Sequence, residues 1–200
     1  MHGHRTAVVL LAGPLALALL PAKQMCALED HQQYQRASYS LSVESYKLPD
    51  VTLVDMTGAS VSLASVLNHR GPVLLQFIFT TCPTICPVMS ATIATAQDKL
   101  RPKLKALRII SITIDPEHDT PARLREYARE FKAGPQWLFL TGREEDIVAV
   151  QEAFDAYRGS KMQHRPLTFL RASPEKPWVR VDGLMSAAEL VAECERLVGR

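Results

Sequence analysis

The sequence predicts an α/β domain with a central mixed sheet flanked by helices and an N-terminal hairpin addition. Three observations carry that prediction. Two nearly continuous apolar runs, "PVLLQFIF" (72–79) and "LRIISITID" (107–115), read as strands buried on both faces. Strand-length and helix-length segments alternate through the middle of the chain. The chain then closes on two consecutive strands and a helix, which an all-parallel doubly wound sheet would not do.

Each element has its own signal. "DVTLVDMTGASVSL" places two short alternating runs around Thr57-Gly58-Ala59, a hairpin. From Val88 a helix follows, with Met89, Ile93, Ala96 and Leu100 on one stripe. "DTPARLREYAREF" opens with Asp119 or Thr120 as a cap and Pro121 in the first turn, with Leu124, Tyr127, Ala128 and Phe131 on one face. "WLFLTG" is a strand, and "EEDIVAVQEAF" is a helix aligning Ile147, Val150 and Phe154. A polar loop runs to His164, and "LTFL" and "WVRVDG" are the last strands. "SAAELVAECERLV" begins with a capping box of Ser186 and Glu189 and carries Leu190, Cys194 and Leu197 inward. This succession is that of a thioredoxin-type sandwich.

The 200 residues suit one domain after a targeting segment, placed here at residues 48–200. With 47% apolar and 22% charged residues and a net charge of +2, the composition is that of a globular protein. Acidic and basic residues interleave, which argues against a nucleic-acid partner. Residues 6–22, "TAVVLLAGPLALALLPA", follow a basic residue and read as a secretory signal or an uncleaved membrane anchor within residues 1–27. Residues 28–47 are polar and without clear period, a linker or lead-in. The later residues are therefore expected outside the cytoplasm, periplasmic or held on the inner membrane facing the periplasm, where disulfides persist. Cys26 reads as incidental.

"FTTCPTICP" (79–87) sets two of the four cysteines, Cys82 and Cys86, between prolines. A residue before proline is biased away from helix, so both are expected in loop geometry, with Pro87 starting the helix and Cys86 at its N-cap. There the helix terminus would favour the Cys86 thiolate. Such a pair serves thiol-disulfide exchange or metal ligation; a structural disulfide is the plainer alternative, although so short a ring restrains little of the unfolded chain. Thiolates select copper(I), with zinc as competitor. His164, at the start of "LTFL", is the candidate third ligand. Met89 reads as core, and Met162 is a further thioether near His164. Pro166, just ahead of a strand, suggests a cis Arg165–Pro166 bond.

These motifs resemble the Sco/SenC family, exported or membrane-anchored thioredoxin-like copper proteins of respiratory-oxidase assembly. "FTTCPTICPVM" is similar to the family's copper loop, "TIDPEHDTPARLREY" to its aspartate-proline loop, and "WLFLTGREEDI" to the following strand-helix junction. The resemblance implies that Cys82 and Cys86 are the redox-active, copper-binding pair, that His164 is the third ligand, and that Asp115 and Asp119 lie close to the site. It implies a copper ion as cofactor, copper(I) or copper(II), and delivery to the binuclear copper centre of cytochrome c oxidase or reduction of that centre's cysteines. The partner would be an oxidase copper subunit or another copper donor or acceptor, and the protein a monomer. Gln163 before His164 and Arg165-Pro166 after it depart from the family's usual aspartate and small residue. The alternative is an exported thiol-disulfide oxidoreductase that uses Cys82 and Cys86 without copper.

Overall fold

The computed structural model describes residues 39–199; the apolar run 6–22, Cys26 and the start of the lead-in lie outside them. Eight strands form one sheet: β1 (Tyr39–Glu44), β2 (Thr52–Asp55), β3 (Ser60–Ser62), β4 (Val73–Ile78), β5 (Arg108–Thr113), β6 (Trp137–Thr141), β7 (Leu167–Arg171) and β8 (Trp178–Gly183). Their order is β1-β8-β7-β4-β5-β6-β2-β3. β4, β5 and β6 run parallel, and β7, β8, β1 and the β2–β3 hairpin pair antiparallel. The helices are α1 (Leu63–Leu67), α2 (Ile85–Leu100), α3 (Pro121–Glu130), α4 (Glu144–Ala153) and α5 (Ala187–Val198).

Side-chain alternation along the central strands builds two cores. Leu74 and Ile78 of β4, Ile109 of β5 and Trp137 and Phe139 of β6 meet α2, α3 and α5 on one face. Val73, Leu75, Phe77, Ile110, Ile112 and Leu140 meet α1 and α4 on the other. All six residues of β4 are buried, as a central strand covered on both faces requires.

Several expectations hold. Met89, Ile93, Ala96 and Leu100 are buried. Thr120 caps α3, its hydroxyl accepting from the Arg123 N–H at 3.4 Å, with Pro121 as first helical residue. The Ser186–Glu189 box is complete, at 3.3 and 2.7 Å. Others change. Part of the polar lead-in is β1, which pairs with β8 at the sheet edge; a strand with one free edge and one partner shows little hydrophobic alternation. α1 was not foreseen, because five residues are too few to show a period. The Arg165–Pro166 bond is trans, the intrinsically favoured isomer; Pro166 sits where its carbonyl accepts the Gly183 N–H at 2.9 Å, so its missing donor costs no ladder bond. Among the described residues no helix is long and apolar enough to cross a membrane.

A polar chain crosses the first core. Gln76 Nε2 of β4 donates to Ser111 Oγ of β5 at 2.9 Å and to Ser90 Oγ of α2 at 3.3 Å. Trp137 Nε1 donates to Ser111 Oγ at 2.8 Å, and Ser90 Oγ bonds Tyr127 OH of α3 at 2.9 Å. The sheet is thereby tied to the helix that carries Cys86. Ser111→Ala would leave two buried donors without their acceptor, so urea denaturation should show a loss of about 1–3 kcal/mol with an unchanged slope; a variant as stable as the parent would refute the network's role.

Candidate metal centre

Both cysteines sit where β4 leaves the sheet. The chain turns at Phe79, whose carbonyl accepts the Cys82 N–H at 3.1 Å. Pro83 biases Cys82 away from helix, and the helix starts earlier than expected, at Ile85, with Thr84 as an N-cap that makes no side-chain capping bond. Cys86 is thus inside the first turn and helical, despite the proline that follows it. Pro87 is tolerated there because first-turn N–H groups have no intrahelical acceptor.

This geometry reverses the expected roles of the two sulfurs. Cys82 Sγ lies in front of the helix terminus and accepts the Cys86 N–H at 3.4 Å, doing the work of the missing cap. Burial raises the Cys82 pKa, but hydrogen bonds from the Cys86, Thr84 and Ile85 backbones and the Cys86 thiol outweigh it, leaving Cys82 below the ordinary thiol value. Cys86 points into the core and is 0% exposed. Burial pushes its thiol well up; a backbone bond from Phe79 offsets this only partly, and Cys82 and Asp119 add to the rise. Helix polarisation acts on a group ahead of the terminus, not on one in the wall of the first turn. Both thiols are free, as is Cys194 in α5.

The loop is fastened by Asp119. This fully buried carboxyl accepts the Thr80 N–H at 3.0 Å, the Thr80 hydroxyl at 2.5 Å and the Thr113 hydroxyl at 2.5 Å. It clamps the exits of β4 and β5 together rather than capping α3. Asp115 points elsewhere, pairing with Lys161 Nζ at 2.5 Å and His118 Nδ1 at 3.0 Å. Lys161 also lies over the Phe79 ring, 5.9 Å from its centroid.

His164 ends a 3-10 turn, Lys161–Gln163, just ahead of β7. Its ring meets Phe79 edge-on, with centroids 6.3 Å apart. It is 9% exposed, and its Nε2 is buried without a hydrogen-bond partner. Burial lowers its pKa to about 4, against a smaller opposing effect of the Phe77 carbonyl, so the ring is neutral at pH 7. A cavity of about 400 Å³ opens beside it, lined by Asp115, Glu117, Tyr157 and Lys161 among others.

Cys82 and Cys86 therefore touch, and His164 is joined to them through Phe79. Among the described residues no three His, Cys, Asp or Glu side chains are already gathered around one point that would hold a metal. The donor chemistry nevertheless fits a soft ion: two free thiols and a neutral imidazole nitrogen buried with no partner. Met89 is core, as expected, and Met162 is exposed. The sequence reading missed the Asp119 clamp and the Lys161–Asp115 pair. An aspartate soon after a strand hinted at the first; a lysine in a polar loop gave no signal for the second.

Known proteins resemble this chain in sequence and in fold. A SCO1 protein homolog of Bacillus subtilis is 40% identical over 100 residues, 49% of this chain and 50% of that protein. The protein SenC of Rhodobacter capsulatus is 34% identical over 106 residues, 53% of this chain and 46% of that protein. The chain spans about half the length of the curated relatives it matches. Among solved structures, Arabidopsis thaliana ScoI with copper bound superposes with a TM-score of 0.65 at 26% identity, covering 76% of this chain and 97% of that one. BsSco, described as a member of the Sco family of cytochrome c oxidase assembly proteins and as having a disulfide switch, gives 0.66 at 27% identity over 79% and 96%. The SCO1/SenC family model matches residues 43–199, so a thioredoxin-like sheet with its cysteine loop at the end of β4 belongs here to a member of the SCO1/SenC family.

Proposed function

We propose that the protein is a copper metallochaperone in which Cys82, Cys86 and His164 hold copper(I) and surrender it to the binuclear copper centre of a respiratory oxidase. The observation that carries this reading is the unpartnered Nε2 of a buried, neutral His164 that packs on Phe79, the residue whose carbonyl holds the loop of two free thiols. A buried imidazole nitrogen without a hydrogen bond is costly, and a metal ion would repay it. The copper found in the Arabidopsis relative and the oxidase-assembly role of BsSco support it. Copper(I) is the cargo: loading displaces both thiol protons and brings the imidazole and sulfurs onto one ion, and delivery exchanges these ligands for the acceptor's. Residues 6–22 would place the domain outside the cytoplasm, as a signal or an anchor.

A second reading, reduction of the acceptor's disulfide, is favoured by the unequal thiols. Cys82, the less buried of the pair and with a lowered pKa, would attack one sulfur of the acceptor's disulfide, forming a mixed disulfide as the acceptor's S–S bond breaks and its other sulfur leaves as thiolate. Cys86 would then displace the acceptor, which leaves with both electrons while the pair closes to a disulfide.

Anaerobic titration of the reduced protein with copper(I) should reach one ion per chain, and Cys82→Ser and Cys86→Ser should abolish tight binding. His164→Ala should weaken it by at least the roughly 10–100-fold that loss of even an outer-shell partner costs. Full affinity in His164→Ala would remove the third ligand; no stoichiometric binding by the parent, with disulfide-reductase activity intact, would favour the second reading. Timed alkylation read by mass spectrometry should label Cys82 before Cys86 and Cys194, since of these three it is the least buried and the one with a lowered pKa. Labelling of Cys86 first would contradict the assigned asymmetry.

A further inference from the structure

The turn that ends in His164 is fastened to the rest of the site by one ion pair. Among the described residues, the hydrogen bonds of the segment 157–163 stay local with that one exception. Arg158 bonds Asp155 and the Tyr157 carbonyl, and Ser160 Oγ accepts the Met162 N–H. The Ser160 carbonyl accepts the Gln163 N–H, and the Lys161 carbonyl accepts the His164 N–H. A three-residue 3-10 turn closed by such bonds keeps its own shape, but they do not fix its place on the molecule. Lys161 Nζ does, donating to Asp115 Oδ2 at 2.5 Å across 46 positions of the chain.

Asp115 is itself held, which makes it a fixed point for that lysine. Its N–H donates to the Thr113 hydroxyl at 2.9 Å, and its Oδ1 lies 3.0 Å from His118 Nδ1. Both carboxyl oxygens are therefore engaged, and the side chain is 7% exposed. The Lys161 ammonium stands over the Phe79 ring, the same ring that the His164 imidazole meets edge-on. The pair thus joins the exit of β5 to the turn at whose end the imidazole sits. An ion pair on an open surface contributes little, but this one is anchored in a buried carboxyl and has no substitute along its segment.

We infer that Lys161 and Asp115 are positioning residues for copper(I), fixing where His164 stands, an inference that rests on the copper reading above. The three donors are not gathered around one point, so loading brings the imidazole and the sulfurs together. A turn already tied beside Phe79 loses less freedom in that step than a turn held only by its own bonds. Neither residue is a ligand; each acts through His164. The direction of the effect separates positioning from charge. Through-space electrostatics alone would make loss of the lysine strengthen cation binding and loss of the aspartate weaken it. Loss of the tie weakens binding in both cases.

The test compares Lys161→Met, Asp115→Asn and the double variant in the full-length reduced chain, by anaerobic competition for copper(I) with bicinchoninate. Each single variant should raise the Kd about tenfold, within the range that loss of an outer-shell partner costs, and the double variant no further, since the tie is already gone. In a His164→Ala background Lys161→Met should change nothing. In the metal-free protein the His164 ring resonances should move in Lys161→Met while those of His69, which bonds the distant Ala106 carbonyl, stay in place. Lys161, with its side chain 34% exposed, carries the test should Asp115→Asn fail to fold. Unchanged affinity in Lys161→Met would overturn the inference. So would tighter binding, which would leave charge as the whole effect, or an equal loss in the His164→Ala background. Failure of the parent to bind copper(I) would remove the copper reading and this inference with it; a binding parent with an indifferent Lys161→Met would remove the inference alone.

Discussion

The site depends on one buried carboxyl. A carboxyl group wholly removed from water must find donors inside the protein, and Asp119 finds three, two on Thr80 and one on Thr113. Those residues leave two adjacent parallel strands, so satisfying Asp119 fixes the distance and direction at which the chain enters the cysteine loop. The Thr113 hydroxyl in turn accepts the Asp115 N–H at 2.9 Å, which orients the following turn and the carboxyl that holds Lys161. The cysteine loop and the histidine turn therefore share a foundation at the β5 exit.

Above it, chemistry is divided between two sulfurs of the same residue type. The difference arises from where the helix begins. Had it begun at Pro87, Cys86 would have faced the free N–H groups; with Ile85 as the first helical residue, Cys82 occupies that place and Cys86 is folded into the core. Two residues of helix thus separate a poised thiol from a protected one. Such inequality suits both ligand exchange and disulfide chemistry, in which one sulfur meets the partner and the other stays behind.

The sandwich and most of its elements were legible because burial imposes periods. The stripe from Met89 to Leu100, the continuous runs of β4 and β5 and the Ser186–Glu189 box each left a pattern in the chain. β1 left none, since its residues mostly face water and its place is set by backbone pairing with β8. In the site, the adjacency of Cys82 and Cys86 followed from spacing, and the neighbourhood of His164 from topology. The start of α2 did not follow: a general bias against helix before proline yielded to the packing of a buried Cys86. Asp119 was read as a local cap because the sequence shows its neighbours along the chain and not those across the sheet.

β4 lies in the middle of the sheet, hydrogen-bonded on both sides and buried on both faces, while β1 and β3 are its outermost strands. In native-state hydrogen exchange, central strands of this kind open only with the whole molecule, whereas edges fray at far lower free energy. The cysteine loop hangs from the strand that lets go last. Partial openings at either margin leave it in register, so the lifetime of the site is tied to that of the fold rather than to the strands at its margins.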